Sequence, residues 1–95
     1  MIVIKVLKLS TGEEIIGDVS DKQGVMVIKN PCGMQLMPSR TDPNKATMGL
    51  FPIAQHIKTN TISVSADHII YVGEPVDEIY NQYNSIYGSG LTIVR

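Results

Sequence analysis

One glycine, Gly17, limits what this chain can fold into. It stands inside a strand-like run, residues 14–20, that also carries Ile15, Ile16 and Val19. A glycine within such a run marks a β-bulge or a sharp bend. Sharply bent strands are the means by which small β-sheets curl toward closure. The flanking segments agree with that reading. Residues 1–9 are rich in β-branched side chains and partly alternate, which predicts a first strand. The sequence Ser10-Thr11-Gly12-Glu13 is turn chemistry, and Asp21-Lys22-Gln23-Gly24 is a second turn. A third strand is expected over 25–29, interrupted by Asn30-Pro31 and resumed over 34–37. Residues 38–48 form the most polar stretch and read as an exposed loop. A fourth strand is expected over 49–57 and 61–65, bent or broken near Lys58-Thr59-Asn60. A short fifth strand follows over 69–72.

The period then changes. Val76, Ile79, Tyr80, Tyr83, Ile86 and Tyr87 are spaced three and four apart, as on one helix face. Pro75 suits a helix start, and Asp77 and Glu78 fall in the first turn, where the helix dipole favours carboxylates. Gly88 suits the C-terminal stop. The spacing predicts a helix over 76–87, packed through Val76, Ile79, Tyr83 and Ile86, with the tyrosines against the sheet. Residues 91–94 are apolar and suit a last short strand. The five methionines (1, 26, 34, 37 and 48) read as core filler.

Ninety-five residues suffice for one domain, divided here into a bent sheet (1–74), a helix (75–88) and a tail (89–95). With 43% hydrophobic and 18% charged residues, the chain has the balance of a folded protein. The net charge of −1 is not that of a general nucleic-acid-binding domain, which carries a clear positive excess. The charge is uneven, however: residues 1–58 carry a net +2 and residues 59–95 a net −3. Cys32 is the only cysteine, so neither an intrachain disulfide nor a cysteine-based zinc site is available. That usage suits a reducing, cytoplasmic compartment. No secretory signal layout and no membrane-length apolar run is read in the sequence, and no membrane partner is expected.

Short, bent strands in so small a chain point to a small barrel, SH3-like or OB-fold. Two stretches decide between them by resemblance. The sequence Leu9-Ser10-Thr11-Gly12-Glu13-Glu14-Ile15-Ile16-Gly17-Asp18-Val19 resembles the first motif of the Sm-like family. In that motif, Leu-x-x-Gly-x-x-apolar-apolar-Gly-x-apolar joins two strands. The sequence Val64-Ser65-Ala66-Asp67-His68-Ile69-Ile70-Tyr71-Val72 resembles the second motif, with Asp67, Ile69 and Tyr71 matching. The two stretches stand in the family's order along the chain. The chain departs from the family pattern in three places. Ser65-Ala66 stands where Arg-Gly is usual, the turn at 21–24 is short and lacks an Asn, and the expected helix is C-terminal. These features are similar to the divergent Sm-like proteins of tailed bacteriophages, including cyanophages. The resemblance implies a mostly β fold: a small, strongly bent five-stranded SH3-like barrel with a C-terminal helix.

The resemblance also implies a homo-oligomeric ring of roughly five to seven subunits, closed by cyclic symmetry. The fourth strand of one subunit would pair with the fifth of the next, through Ile69, Ile70, Tyr71 and Val72. Family rings bind single-stranded RNA near the pore. Carried over by position, the binding residues are Asp21, Lys22 and Gln23 of one turn and Ser65, Asp67 and His68 of the other. Amide and carboxylate groups reach base edges, Lys22 reaches phosphate, and His68 stacks or hydrogen-bonds. The function expected is a non-enzymatic ring subunit that binds single-stranded RNA or an RNA-associated partner. The alternative is a structural or protein-binding adaptor ring without nucleic-acid binding. A third reading is an unrelated monomeric module. No cofactor is expected. Asp18, Asp21 and Asp67 form no clustered metal motif. His56 and His68 lack an accompanying nucleophile elbow, so no catalytic residue is assigned.

Overall fold

The computed structural model describes residues 3–38, 41 and 44–87. Within them run β1 (Ile4–Leu9), β2 (Glu14–Lys22), β3 (Val25–Pro38), β4 (Ala46–Pro52), β5 (Thr61–Ser65), β6 (Ile69–Gly73) and a helix, α1 (Asp77–Tyr87). Short 3-10 turns at Lys58–Asn60 and Ala66–His68 precede β5 and β6. The chain is thus mostly β, a six-stranded antiparallel sheet with one C-terminal helix.

The sheet order is β4-β3-β2-β1-β6, and β5 pairs with the first half of β3. Residues 25–29 of β3 pair with β5 and residues 32–38 with β4, so β4 and β5 follow each other along β3. They correspond to the single bent fourth strand expected from the sequence. The break lies at residues 53–60, where Ala54, Thr59 and Asn60 all have positive φ. Six strands therefore replace the expected five. Two further expectations are corrected. The strand around Asn30-Pro31 is not interrupted: Asn30 takes a left-handed φ of 52° and the pairing continues on either side. The polar loop is also shorter than 38–48, because β3 runs through Pro38 and β4 starts at Ala46.

Gly17 bends the sheet as its sequence position predicts. The β2–β3 register shifts between Ile16 and Asp18. A Cβ on Gly17 would lie 2.5 Å from Ile28 Cγ2 and 3.2 Å from Lys29 O, so only glycine fits beneath the neighbouring strand. The consequence is geometric. A straight nine-residue β2 would span about 30 Å. Yet the link from Ser65 to Ile69 reaches at most about 14 Å. It connects β5, beside one end of β2's hairpin with β3, to β6, beside the other end's hairpin with β1. The sheet must curl for that link to close. It curls without closing: no ladder joins β6 to β4 or β5 among the described residues.

Both faces of the curled sheet are packed. Inside the curl lie Leu7, Ile15, Val19 and Ile28, with Leu9, Met26, Ile53, Ile62, Val64 and Ile69 against them. On the other face Ile4, Ile16 and Cys32 surround Tyr83 of α1. Fully burying a large apolar side chain contributes roughly 1.5–3 kcal/mol. Tyr83 keeps its polar tip satisfied by donating its hydroxyl to Asn30 O at 2.8 Å. Its ring centroid lies 5.1 Å from that of Tyr87. The helix presents Ile79, Tyr80, Tyr83 and Tyr87 to the sheet. That corrects the sequence expectation, since Val76 is 67% and Ile86 41% exposed. Val76 precedes the first helical turn, and Ile86 falls off the stripe of tyrosines that does the packing. Met37 is also exposed rather than core, lying over Gly49. Met1, Gly88 and the apolar 91–94 segment fall outside the described residues.

Candidate functional site

The β2–β3 hairpin is a two-residue turn. Lys22 pairs with Val25, and Gln23 and Gly24 have φ of 51° and 82°. Positive φ at both central positions is the type I′ pattern, whose twist matches the strands it joins. Glycine at the second position adopts it without steric cost. The Ala66–His68 turn is built differently. Ser65 caps it, its Oγ accepting from Asp67 N at 3.4 Å.

These two turns, about forty residues apart in sequence, adjoin in space. Ala66 N donates to Gly24 O at 2.9 Å, and Ser65 pairs with Val25 in the β3–β5 ladder. Asp21, Lys22, Gln23, Ser65, Asp67 and His68 are all exposed at this end of the sheet. The curl brings in a third turn that the sequence reading did not include. His68 O accepts from Ser10 N at 2.7 Å, and Ser10 Oγ lies 3.5 Å from His68 Nδ1. Nothing in the local sequence marks Ser10 for this position; it follows from β6 pairing with β1.

The chemistry of this surface is mixed. Lys22 and His68 offer a phosphate contact and a ring, and Gln23, Ser65 and Ser10 offer neutral hydrogen bonds. Asp21 and Asp67 add two carboxylates, so the six expected residues carry no positive excess. No group of three His, Cys, Asp or Glu side chains is placed to hold a metal ion among the described residues.

The other expected surface is the last strand. β6 pairs with β1 alone, so its outer edge is free among the described residues. Ile70, Tyr71 and Val72 are 62%, 48% and 41% exposed, an unusual concentration of apolar surface on a free edge. Ile69 turns inward onto the core instead. At the far end of the sheet, β5 has no ladder beyond β3 among the described residues, whereas β4 is partly covered: Gln82 of α1 donates to Met48 O at 2.9 Å.

Between β6 and β4 lies a cleft of about 510 Å³. Val6, Met34, Met48 and Ile79 give it an apolar floor, and Glu14, Glu74 and Glu78 line it with no cation among them. Tyr71 donates its hydroxyl to Glu14, and that bond to a carboxylate pushes the phenol above its ordinary pKa. Glu74, exposed, meets the half-buried Lys5 at 3.6 Å. The sequence gives no sign of this cleft, because its walls come from five separate strands and the helix.

A scan against models of known protein families finds no match to this chain, and a search of curated proteins finds none either. No described helix is long and apolar enough to cross a membrane.

Proposed function

We propose that this chain is the subunit of an Sm-like homo-oligomeric ring, non-enzymatic, that binds single-stranded RNA or an RNA-associated partner. The observation that carries the reading is the junction of the two motif turns, with Ala66 N hydrogen-bonded to Gly24 O. Residues separated in sequence and singled out by resemblance form one exposed surface. The strand order supports the same reading: β6 returns to β1, and the bent pair β4 and β5 lies along β3, which leaves one free edge at each end of the sheet among the described residues. An open sheet with an apolar edge needs a partner strand, and head-to-tail pairing closed by cyclic symmetry supplies one for every subunit.

On this account Lys22 contacts phosphate and Gln23 and His68 contact bases. One lysine per subunit attracts RNA weakly, and the ring multiplies it along a single strand through effective concentration. Fluorescence anisotropy with oligo-U and oligo-A tests this. Binding at low salt should weaken steeply as salt rises and should fall on Lys22→Ala and on His68→Ala. Binding that ignores both substitutions removes these turns as the site. One observation favours the second reading, a protein-binding adaptor ring: Asp21 and Asp67 flank Lys22 and His68 on the same surface. Absence of RNA binding at low salt selects it.

A further inference from the structure

The two free edges of the sheet carry opposite charge. From residue 45 to residue 66 the chain has Lys45 and Lys58 and no carboxylate, and this stretch forms β4, the Lys58–Asn60 turn and β5. From residue 69 to residue 78 it has Glu74, Asp77 and Glu78 and no cation, and this stretch forms β6 and the start of α1. All five of these charged residues are exposed. Glu74 pairs with Lys5, which leaves Asp77 and Glu78 without a cation among the described residues. Lys58 likewise meets no carboxylate there.

We infer that Lys58 of one copy pairs with the Glu74, Asp77 and Glu78 cluster of the next, and that this contact sets the direction in which the copies join. The inference rests on the ring reading above and adds what fixes the polarity of its interface. Two structural facts select the strands. The outer edge of β4 is partly taken by Gln82, which leaves β5 as the open strand on that side. β5 and β6 are each five residues long, so they can pair over their full length.

Direction then follows from charge. If β6 pairs antiparallel with β5 of the next copy, the end of β6 lies against the start of that β5. Lys58, in the turn just before β5, then falls beside Glu74 and the first helical turn. A parallel pairing would bring the end of β5 there instead, and with it Asp67, a like charge. Opposite charges facing across an interface fix orientation and suppress wrong pairings, more than they add affinity. The contact is head-to-tail because it joins two different edges, and two β6 edges paired antiparallel would set Glu74 of one copy against Asp67 of the other.

Charge reversal tests the inference on the full chain. Light scattering and native mass spectrometry would compare the parent with Lys58→Glu, with Glu74→Lys plus Glu78→Lys, and with the triple variant. Each one-sided reversal should weaken assembly by at least about tenfold, and the triple variant should recover most of the loss. Thermal unfolding of each variant reports whether the fold is intact; recovery in the triple variant cannot arise from a general loss of folding. A parent that assembles and ignores the one-sided reversals overturns the ion-pair inference and leaves the ring reading standing, as does loss without recovery in the triple variant. A parent that is monomeric overturns both.

Discussion

Replacing Gly17 with alanine should destabilise the chain by about 1–2 kcal/mol. The added Cβ would sit 2.5 Å from Ile28 Cγ2, where about 3.5–4.0 Å is the ordinary contact distance. Ile28 is fully buried among Leu7, Ile15 and Val19, so it has nowhere to retreat. Lys29 O, at 3.2 Å, blocks the other direction. Overpacking of this kind costs about 1–3 kcal/mol. Stiffening the unfolded chain returns about 0.4–1 kcal/mol. Valine adds further atoms at the same point and should cost more, up to about 3 kcal/mol. The clash also predicts coupling. Ile28→Ala alone should cost about 2–5 kcal/mol, and it removes the atom that meets the new Cβ. In that background Gly17→Ala should be close to neutral, a departure from additivity of about 1–2 kcal/mol. Urea unfolding followed by circular dichroism measures all four corners of the cycle. One fixed protein concentration is needed, because the stability of an oligomer depends on it. An alanine variant as stable as the parent, or two costs that simply add, would refute the close-approach account of the bend.

The helix gives the remaining predictions. Tyr83→Ala should cost about 3–5 kcal/mol, and Tyr83→Phe, which loses only the hydroxyl bonded to Asn30 O, about 1 kcal/mol. Burial pushes the Tyr83 phenol well above its ordinary pKa near 10. The unfolded chain therefore ionises first in alkali: stability from this group is intact below about pH 10 and is lost as pH rises beyond it, by up to about 1.4 kcal/mol per pH unit. Urea midpoints across that range should fall less steeply for Tyr83→Phe than for the parent, and identical slopes would count against it. Val76→Ser should change stability by less than about 0.5 kcal/mol, whereas Ile79→Ala should cost at least about 1 kcal/mol. The reverse ranking would mean that the helix docks through another face.

Local signals in the sequence reached far into the fold. The turn at Gln23-Gly24, the bulge at Gly17 and the existence of the helix each depend on neighbouring residues, and each is visible in the order of residues along the chain. The third strand was legible only in part. Pro31 and Asn30 look like a strand break, but Asn tolerates a left-handed φ and pairing continues past it. The helix period indicated a helix but not which side it buries, since Val76 and Ile86 fit the spacing as well as Tyr80 and Tyr87 do. Contacts made only by long-range pairing left no local trace. Ser10 reaches His68 because β6 lies on β1, and the carboxylates Glu14 and Glu78 line one cleft because β2 and α1 meet there. The opposite charges of the two free edges were present in the sequence as an uneven distribution, but their meaning depends on which strands are left unpaired.

Assembly of the chain in solution tests the ring most directly. Light scattering on the purified full chain at micromolar concentration gives its mass without a label or a ligand. The account predicts one closed species of roughly five to seven copies. A chain that stays monomeric under those conditions, with the edge of Ile70, Tyr71 and Val72 unpaired, would contradict it.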